Sequence, residues 1–279
     1  MEKRKFKPIL SLLLITLLAA ACAAQPAMPL VQAQASPTAF PPTTATEPAT
    51  AAPATAEGGM PAAGTGLCAN AYYPVRQGAT WNYKSTGSPA GDYTFIDTIT
   101  STRNDGFTLT TQSGSLSRAQ EWACKPEGLV AQQFGGAPAA LLNAQSLQFD
   151  VQASNVNGVT FPSQIKAGDQ WQHSLDLQGN VSAAGQQGAA KGTARNNFTA
   201  VGVESVTVPA GTFDAMKIKI DTTIDMKVSY KGLPLPVQFT SSYTYWFVQG
   251  VGWVKSSGTG NIAGQSYSET TELQSYSVP

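Results

Sequence analysis

Residues 213–230, FDAMKIKIDTTIDMKVSY, carry the most regular pattern of this chain. The apolar side chains fall at even positions, namely Met216, Ile218, Ile220, Ile224, Met226 and Val228. Because successive side chains of a β-strand point to opposite faces of its sheet, these residues share one face. The stretch therefore predicts a long strand with one buried face.

Neighbouring segments carry the same two-residue period. Residues 92–100 and 107–111 alternate apolar and polar side chains on either side of an Asp-Gly turn pair, and residues 237–248 and 260–276 continue the pattern. The segment VTVPAGTF, residues 206–213, reads as strand, tight turn and strand. No window has a convincing helical period, although residues 137–147 could form one short helix. The sequence therefore predicts an all-β fold with little helix.

A short motif occurs twice, about ninety residues apart. Residues 73–81 read YPVRQGATW, and residues 161–171 read FPSQIKAGDQW. Each copy has an aromatic-proline pair, a connector and then Gly-x-x-Trp. We interpret the repetition as two similar β units within one domain, with chance likeness of common turn residues as the alternative.

The N-terminus has the layout of a bacterial lipoprotein signal. Four basic side chains within residues 3–7 precede an apolar run over residues 9–18, and small residues then lead to Cys22. The run is shorter than the roughly 20 residues that a membrane-spanning helix needs. We expect residues 1–21 to be removed and Cys22 to carry lipid chains that anchor the exported protein to the cell membrane or outer membrane. Cleavage at the Ala-x-Ala site of residues 33–35 is the alternative.

Residues 22–66 are predicted to form a disordered stalk between the lipidated cysteine and a β-rich exported domain, residues 67–279. The stalk is rich in Pro, Thr and Ala, so it cannot bury enough apolar surface to offset the entropy of ordering. Without residues 1–21 the chain has 13 basic and 16 acidic residues. This balance gives no basic surface of the kind that nucleic-acid binding requires.

Cys68 and Cys124 form an even pair once Cys22 is lipidated. In an oxidising compartment such a pair favours a disulfide. It would close a loop of roughly 55 residues and stabilise the fold by about 3–4 kcal/mol. Two buried free thiols are the alternative. With His173 as the one histidine, the chain lacks the ligand spacing of a zinc site, and we predict no metal and no cofactor.

Three segments together resemble a known family: residues 72–81, the turn segment VPAGTF of residues 208–213, and YWFVQGVGWVK of residues 245–255. The set resembles the TapB-like family of uncharacterised exported bacterial domains, over residues 68–279. This resemblance implies a strongly curved antiparallel sheet or open β-barrel on a secreted or lipid-anchored protein. It brings no catalytic residues. Trp253 departs from the pattern, which has an aliphatic residue there.

The motifs of common enzymes are missing from the sequence. It contains neither a G-x-S-x-G nucleophile elbow nor a phosphate-binding loop. His173 is interpreted as a surface or half-buried structural side chain rather than a general base. Two carboxylate pairs, Asp169 with Asp176 and Asp221 with Asp225, could in principle serve glycoside hydrolysis. Asp221 and Asp225 share the outward face of their strand, where solvated charges protect a sheet. We therefore predict a protein that is not an enzyme.

Binding of a lipid or another apolar ligand inside the curved sheet is the function that we expect. The residues expected to line the cavity are Met216, Ile218, Ile220, Ile224, Met226, Phe239, Tyr243 and Tyr245. A solid core built from the same side chains is one alternative. Another is a surface module that binds a glycan or an envelope protein through exposed aromatic residues such as Tyr72, Trp81, Trp171 and Trp253. A purely structural envelope protein is the third.

Overall fold

The structure is a computed structural model that describes residues 66–89, 91–133, 147–183, 186–230, 233–262 and 264–279. Cys22 and the predicted stalk up to residue 65 lie outside these ranges. A 3₁₀ turn, Gly66–Cys68, comes first. The described strands are β1 (Thr80–Thr86), β2 (Tyr93–Arg103), β3 (Gly106–Ser113), β4 (Leu116–Lys125), β5 (Gly128–Ala131), β6 (Leu147–Gly158), β7 (Phe161–Pro162), β8 (Gln170–Ala183), β9 (Gln186–Val208), β10 (Gly211–Tyr230), β11 (Leu233–Val248), β12 (Gly252–Ile262) and β13 (Gln265–Ser277).

These strands form one antiparallel sheet that curls into a half-barrel. Their order across the sheet is β6-β8-β9-β10-β11-β12-β13-β1-β2-β3-β4-β5-β7. Strands β1 to β5 form one meander and strands β8 to β13 form a second, because each strand pairs with the next along the chain. The pairing of β1 with β13 joins the two meanders. The predicted all-β fold with a strongly curved antiparallel sheet is confirmed.

The central strand β10 follows the alternation of its sequence. Met216, Ile218, Ile224 and Met226 are buried, whereas the lysines between them face outward. Ile218 lies opposite Ala200 on β9 and Tyr245 on β11. From Met216 to Met226 the even-numbered side chains of β10 therefore belong to the inner, concave face of the sheet.

The expected strand over residues 260–276 is in fact the end of β12 and most of β13. Gly264 lies between them with a φ of 86°, and its amide donates a hydrogen bond to the Asn261 side chain at 3.0 Å. Such a tight turn adds too few residues to interrupt a two-residue period, which is why the pattern concealed it. Strand β6 begins at Leu147, and residues 137–146 of the candidate helix lie outside the described residues.

The repeated motif builds the same turn twice. Gly78 and Gly168 have positive φ angles of 84° and 92°, a backbone conformation that glycine adopts at little cost. The Gly78 amide donates to the Ile99 carbonyl at 2.8 Å, and the Gly168 amide donates to the Ala200 carbonyl at 2.7 Å. In return, the Ile99 amide donates to the carbonyl of Ala79 at 3.0 Å, and the Ala200 amide donates to the carbonyl of Asp169 at 2.9 Å. Each turn thus leads into the first strand of a meander and ties it to the second.

A bridge over residues 158–162 connects the two sides of the curled sheet. The Val159 amide donates to the Gln172 carbonyl on β8 at 3.2 Å, and the Thr160 amide donates to the Leu129 carbonyl on β5 at 3.0 Å. Strand β7, at the end of the bridge, pairs with β5. These hydrogen bonds hold β5 close to β8, although the two strands lie far apart in the order of the sheet.

The larger of two apolar clusters contains buried residues from both meanders. At its centre the Tyr73 ring packs against the rings of Phe107, Trp122 and Phe161, with centroids 5.7, 5.2 and 5.4 Å away. Packing of this kind adds about 0.5–1.5 kcal/mol for each pair beyond the burial of apolar area. The aromatic-proline pairs of both motif copies therefore supply core residues as well as turns.

The Cys68–Cys124 disulfide joins the 3₁₀ turn to β4, and its two Cα atoms are 5.0 Å apart. Both half-cystines are buried. This confirms the disulfide that the cysteine count predicts and fixes the start of the folded region to the core.

Replacing both Cys68 and Cys124 with alanine should lower the free energy of unfolding by about 3–4 kcal/mol, because the bridge closes a loop of 56 residues in the unfolded chain. Urea denaturation without reducing agent measures this loss. Reduction of the unaltered chain should produce a loss of similar size, and an unchanged urea midpoint in both experiments would contradict the pairing.

Candidate functional site

A partly open cavity of about 240 Å³ lies on the concave face of the sheet, between side chains of the two meanders. It is smaller than the common range for drug-sized ligands, so it suits a small molecule. Aromatic rings form much of its wall, and these belong to Tyr73, Tyr93, Phe95, Trp122, Phe161, Phe198, Tyr243, Tyr245, Phe247 and Trp253.

Strand register places a polar row across one wall of this cavity. His173 on β8 lies opposite Asn196 on β9, Asn196 lies opposite Thr222 on β10, and Thr222 lies opposite Ser241 on β11. All four line the cavity. The Thr222 hydroxyl donates a hydrogen bond to the Asn196 side-chain oxygen at 2.7 Å. A row of polar side chains thus crosses four neighbouring strands on the inner face of the sheet.

His173 is the most unusual member of that row, because it is only 2% exposed and one of its ring nitrogens has no partner. Its Nε2 lies 3.0 Å from the Ala131 carbonyl oxygen. Since a carbonyl oxygen only accepts, Nε2 carries the proton and Nδ1 of the neutral ring is an acceptor. Burial lowers the pKa of His173 below its usual value, and the hydrogen bond to Ala131 only partly opposes this effect. The prediction of a surface or half-buried histidine was wrong.

Asp97 on β2 contributes a carboxylate to the cavity wall, and it is 7% exposed. The Thr111 hydroxyl on the neighbouring strand donates a hydrogen bond to it. Burial raises the pKa of Asp97 to about 6, although the Thr111 hydrogen bond opposes the rise. The carboxyl group is therefore largely ionised at neutral pH inside an aromatic surrounding.

Asp97 was not among the residues predicted to line a cavity, although its position in the alternating pattern indicates an inward side chain. In the alternating segment over residues 92–100, Asp97 has the same parity as Phe95 and Ile99, which face inward. An acidic residue at an inward position of a half-buried strand marks either a buried polar network or a binding site.

A second buried carboxylate, Glu269 on β13, is satisfied by hydroxyl groups. Ser85, Tyr93 and Tyr243 donate hydrogen bonds to its two oxygens, the latter two at 2.8 and 3.1 Å. Because Tyr93 and Tyr243 also line the cavity, this network fixes the position of two wall residues. Glu269 therefore acts on the cavity through its phenol partners.

The residues predicted to line a cavity divide into three groups. Ile220, Tyr243 and Tyr245 line the observed one. Met216 and Ile218 belong to the larger apolar cluster, and Ile224, Met226 and Phe239 belong to the smaller one. Parity determines the face that a side chain occupies, but the position of the cavity along the strand depends on the opposing wall.

The aromatic residues proposed for stacking on a glycan are largely packed against other rings. Tyr72 and Trp81 are buried. The partly buried Trp171 stacks on Phe198 with centroids 5.1 Å apart, and Trp253 stacks on Tyr83 at 3.9 Å. These four residues do not form a row of solvent-facing rings.

The two carboxylate pairs have local partners. The Lys166 amide donates to Asp169 at 2.7 Å, and the Asn155 amide group donates to Asp176 at 2.7 Å. Asp221 pairs with Lys219, and Asp225 accepts from Gln238 on the outer face. Over the described ranges, His, Cys, Asp and Glu residues form no group of three or more that could hold a metal. The same ranges contain no helix long and apolar enough to cross a membrane.

Residues 113–278 match the DUF3108-like family. The chain belongs to this family. No curated protein matches it. Among solved structures, a Bacteroides fragilis protein described as exported with a YmcC-like fold is 12% identical, with a TM-score of 0.43 over 75% of this chain and 100% of that one. A Parabacteroides distasonis lipoprotein is 14% identical, with a TM-score of 0.43 over 75% and 99%. The Escherichia coli lipoprotein YmcC is 12% identical, with a TM-score of 0.32 over 72% and 85%.

The family match includes the second and third segments of the TapB-like resemblance, residues 208–213 and 245–255. Residues 72–81, which carry the first segment, precede the matched range. The assignment rests on the DUF3108-like match, and the TapB-like name stays a prediction.

The raised pKa of Asp97 makes stability depend on pH. In the unfolded chain Asp97 has its ordinary pKa of 3.8, and in the folded protein its pKa is about 6. As the pH rises, the unfolded chain therefore loses the Asp97 proton at a lower pH than the folded protein does. Stability should therefore fall by about 2 kcal/mol as pH rises from 4 to 7. Asp97→Asn removes this loss, so urea denaturation should show the variant gaining on the unaltered protein over that range. The exposed Asp214→Asn is the matched control, and an equal gain there would contradict the assignment to Asp97.

Proposed function

We propose that this DUF3108-like protein is a lipid-anchored component of the bacterial cell envelope that binds a small, mainly apolar molecule on the concave face of its sheet. It acts without catalysing a reaction. The observation that carries this proposal is the cavity of about 240 Å³, whose aromatic wall also holds buried polar groups.

The unpaired Nδ1 of His173 supports binding over a purely structural role. A buried acceptor without a partner costs about 1–3 kcal/mol, a penalty that folding alone does not recover. A ligand that donates a hydrogen bond to this nitrogen would remove the penalty. The cavity therefore favours a molecule with an apolar body and at least one hydrogen-bond donor.

A non-enzymatic role is supported by the surroundings of His173. Its Nε2 donates to a backbone carbonyl, whereas a general base is commonly oriented by a carboxylate on one ring nitrogen and faces a nucleophile with the other. Within the described residues, neither Asp97 nor Glu269 has a hydrogen bond to this ring. The lack of a carboxylate partner for this ring supports a role in binding rather than in proton transfer.

Membrane anchoring through Cys22 is supported by the signal-like N-terminus. In cells given labelled palmitate, the unaltered protein should carry label and Cys22→Ala should carry none. The Cys68→Ala/Cys124→Ala protein is the matched control. It should keep the label, because it retains Cys22 and neither replaced cysteine lies in the signal. Label on Cys22→Ala would contradict the anchor.

Native mass spectrometry tests ligand binding directly. Residues 23–279, exported to a periplasm and purified without detergent, should carry a bound mass that extracts into organic solvent. Ser241→Phe should reduce the bound fraction, because Ser241 lines the cavity and a phenyl ring would fill it. Thr240→Phe, on the exposed face of the same strand, is the matched control.

An apo mass for the unaltered protein would contradict the proposal, and so would equal occupancy in Ser241→Phe. In the first case, glycan and cell-wall arrays would become the appropriate next experiment.

A further inference from the structure

Among the described residues that line the cavity, the charged side chain at neutral pH is an acidic one. Asp97 contributes a carboxylate to the wall, and no lysine or arginine occurs among the described residues that line it. None of the ion pairs within the described chain involves Asp97. Arg118 occupies the register position beyond Thr111, two strands from Asp97, and it is not one of the lining residues.

A buried carboxylate of this kind is costly unless a cation accompanies it. Thr111 supplies one hydrogen bond, which satisfies only part of what two carboxylate oxygens can accept. Desolvation of the remaining charge opposes ionisation. Burial raises the pKa of the Tyr73 phenol, and the negative charge of Asp97 raises it further. Asp97 also contributes to the raised pKa of Tyr245, after burial, Glu269 and Tyr267. Both phenols line the cavity, so the field of Asp97 extends into the space that a ligand would occupy.

The aromatic wall has the same electrostatic preference. The face of an aromatic ring carries negative charge density and attracts cations, most strongly when water is excluded. The rings of Phe95, Tyr245 and Trp253 lie close together, with the Phe95 and Tyr245 centroids 6.2 and 5.5 Å from that of Trp253. The unpaired Nδ1 of His173, which also lines the cavity, is an acceptor as well. The cavity thus offers acceptors and ring faces to its ligand.

We infer that the ligand is a small organic cation, an amine or ammonium compound with an apolar body, whose positive group lies against Asp97 and the aromatic wall. This inference rests on the proposed binding function and names the chemical class of its ligand. It separates the protein from carriers of fatty acids and other anions, for which a cavity with a basic residue would be expected.

Three probes with the same eight-carbon chain test the inference: octylammonium, octanol and octanoate. They are titrated into residues 23–279, a chain that contains the described strands, both apolar clusters and the disulfide of the compact unit Ala56–Pro279. Isothermal titration calorimetry at pH 7.5 and below the micelle-forming concentrations should show octylammonium binding about tenfold or more tightly than octanol. Octanoate should bind most weakly.

The Asp97→Asn variant tests whether Asp97 causes the preference for octylammonium. It should weaken octylammonium binding about tenfold or more and leave octanol binding nearly unchanged, since only the charged probe loses its partner. Asp214→Asn removes one negative charge from an exposed position outside the cavity and should leave all three affinities unchanged. Thermal unfolding of both variants checks that they fold, and the comparison of probes on the unaltered chain stands without them.

The outcomes distinguish this inference from the proposed function. If octanol or octanoate binds as tightly as octylammonium, the cavity binds apolar molecules but the inference of a cation is wrong. If Asp97→Asn keeps the full preference for octylammonium, the role of Asp97 is wrong. If none of the probes binds, both the inference and the proposed function are contradicted.

Discussion

The antiparallel pairing of β1 with β13 is the constraint on which the rest of the structure depends. It aligns Thr80 with Ser277 and continues to Thr86 opposite Thr270, so that the first and last described strands become neighbours in the sheet. Without it the two meanders would be separate sheets, each with an additional unpaired edge. Because these partners lie nearly two hundred residues apart, their pairing carries a large cost in chain entropy. Burial of apolar side chains from both meanders in the larger apolar cluster offsets part of that cost.

The cavity follows from the same arrangement. Asp97 comes from one meander and His173 from the other, and the bridge over residues 158–162 holds β5 close to β8. A curled sheet whose inner face carried only large apolar side chains would close into a solid core. Here a polar row at His173 and a carboxylate at Asp97 interrupt the apolar surface, and the rings around them leave space. Incomplete hydrogen bonding at these two groups reduces stability.

The periodicity of the sequence predicted the class of the fold, because a two-residue alternation directly reports which face each side chain occupies. The same alternation predicted β10. The turn at Pro209 was predicted from its turn-forming residues, and the disulfide from the cysteine count. The periodicity could not locate the turn between β12 and β13, because a short turn leaves the alternation unbroken. Nor could it locate the cavity along β10: Ile220 lines it while Ile224, four residues on, belongs to the smaller apolar cluster. That difference depends on contacts across the curled sheet, which local sequence does not encode. Asp97, by contrast, was within reach of sequence reasoning, since its inward parity could be read directly.

The proposed function requires that the concave face hold a ligand rather than a filled core. A crystal structure of the exported protein, purified without detergent and with no ligand added, tests this most directly. We expect density for a non-protein molecule between Asp97 and His173, with a donor within hydrogen-bonding distance of His173 Nδ1. A cavity filled by the protein's own side chains, or one in which ordered water alone satisfies Nδ1, would contradict it.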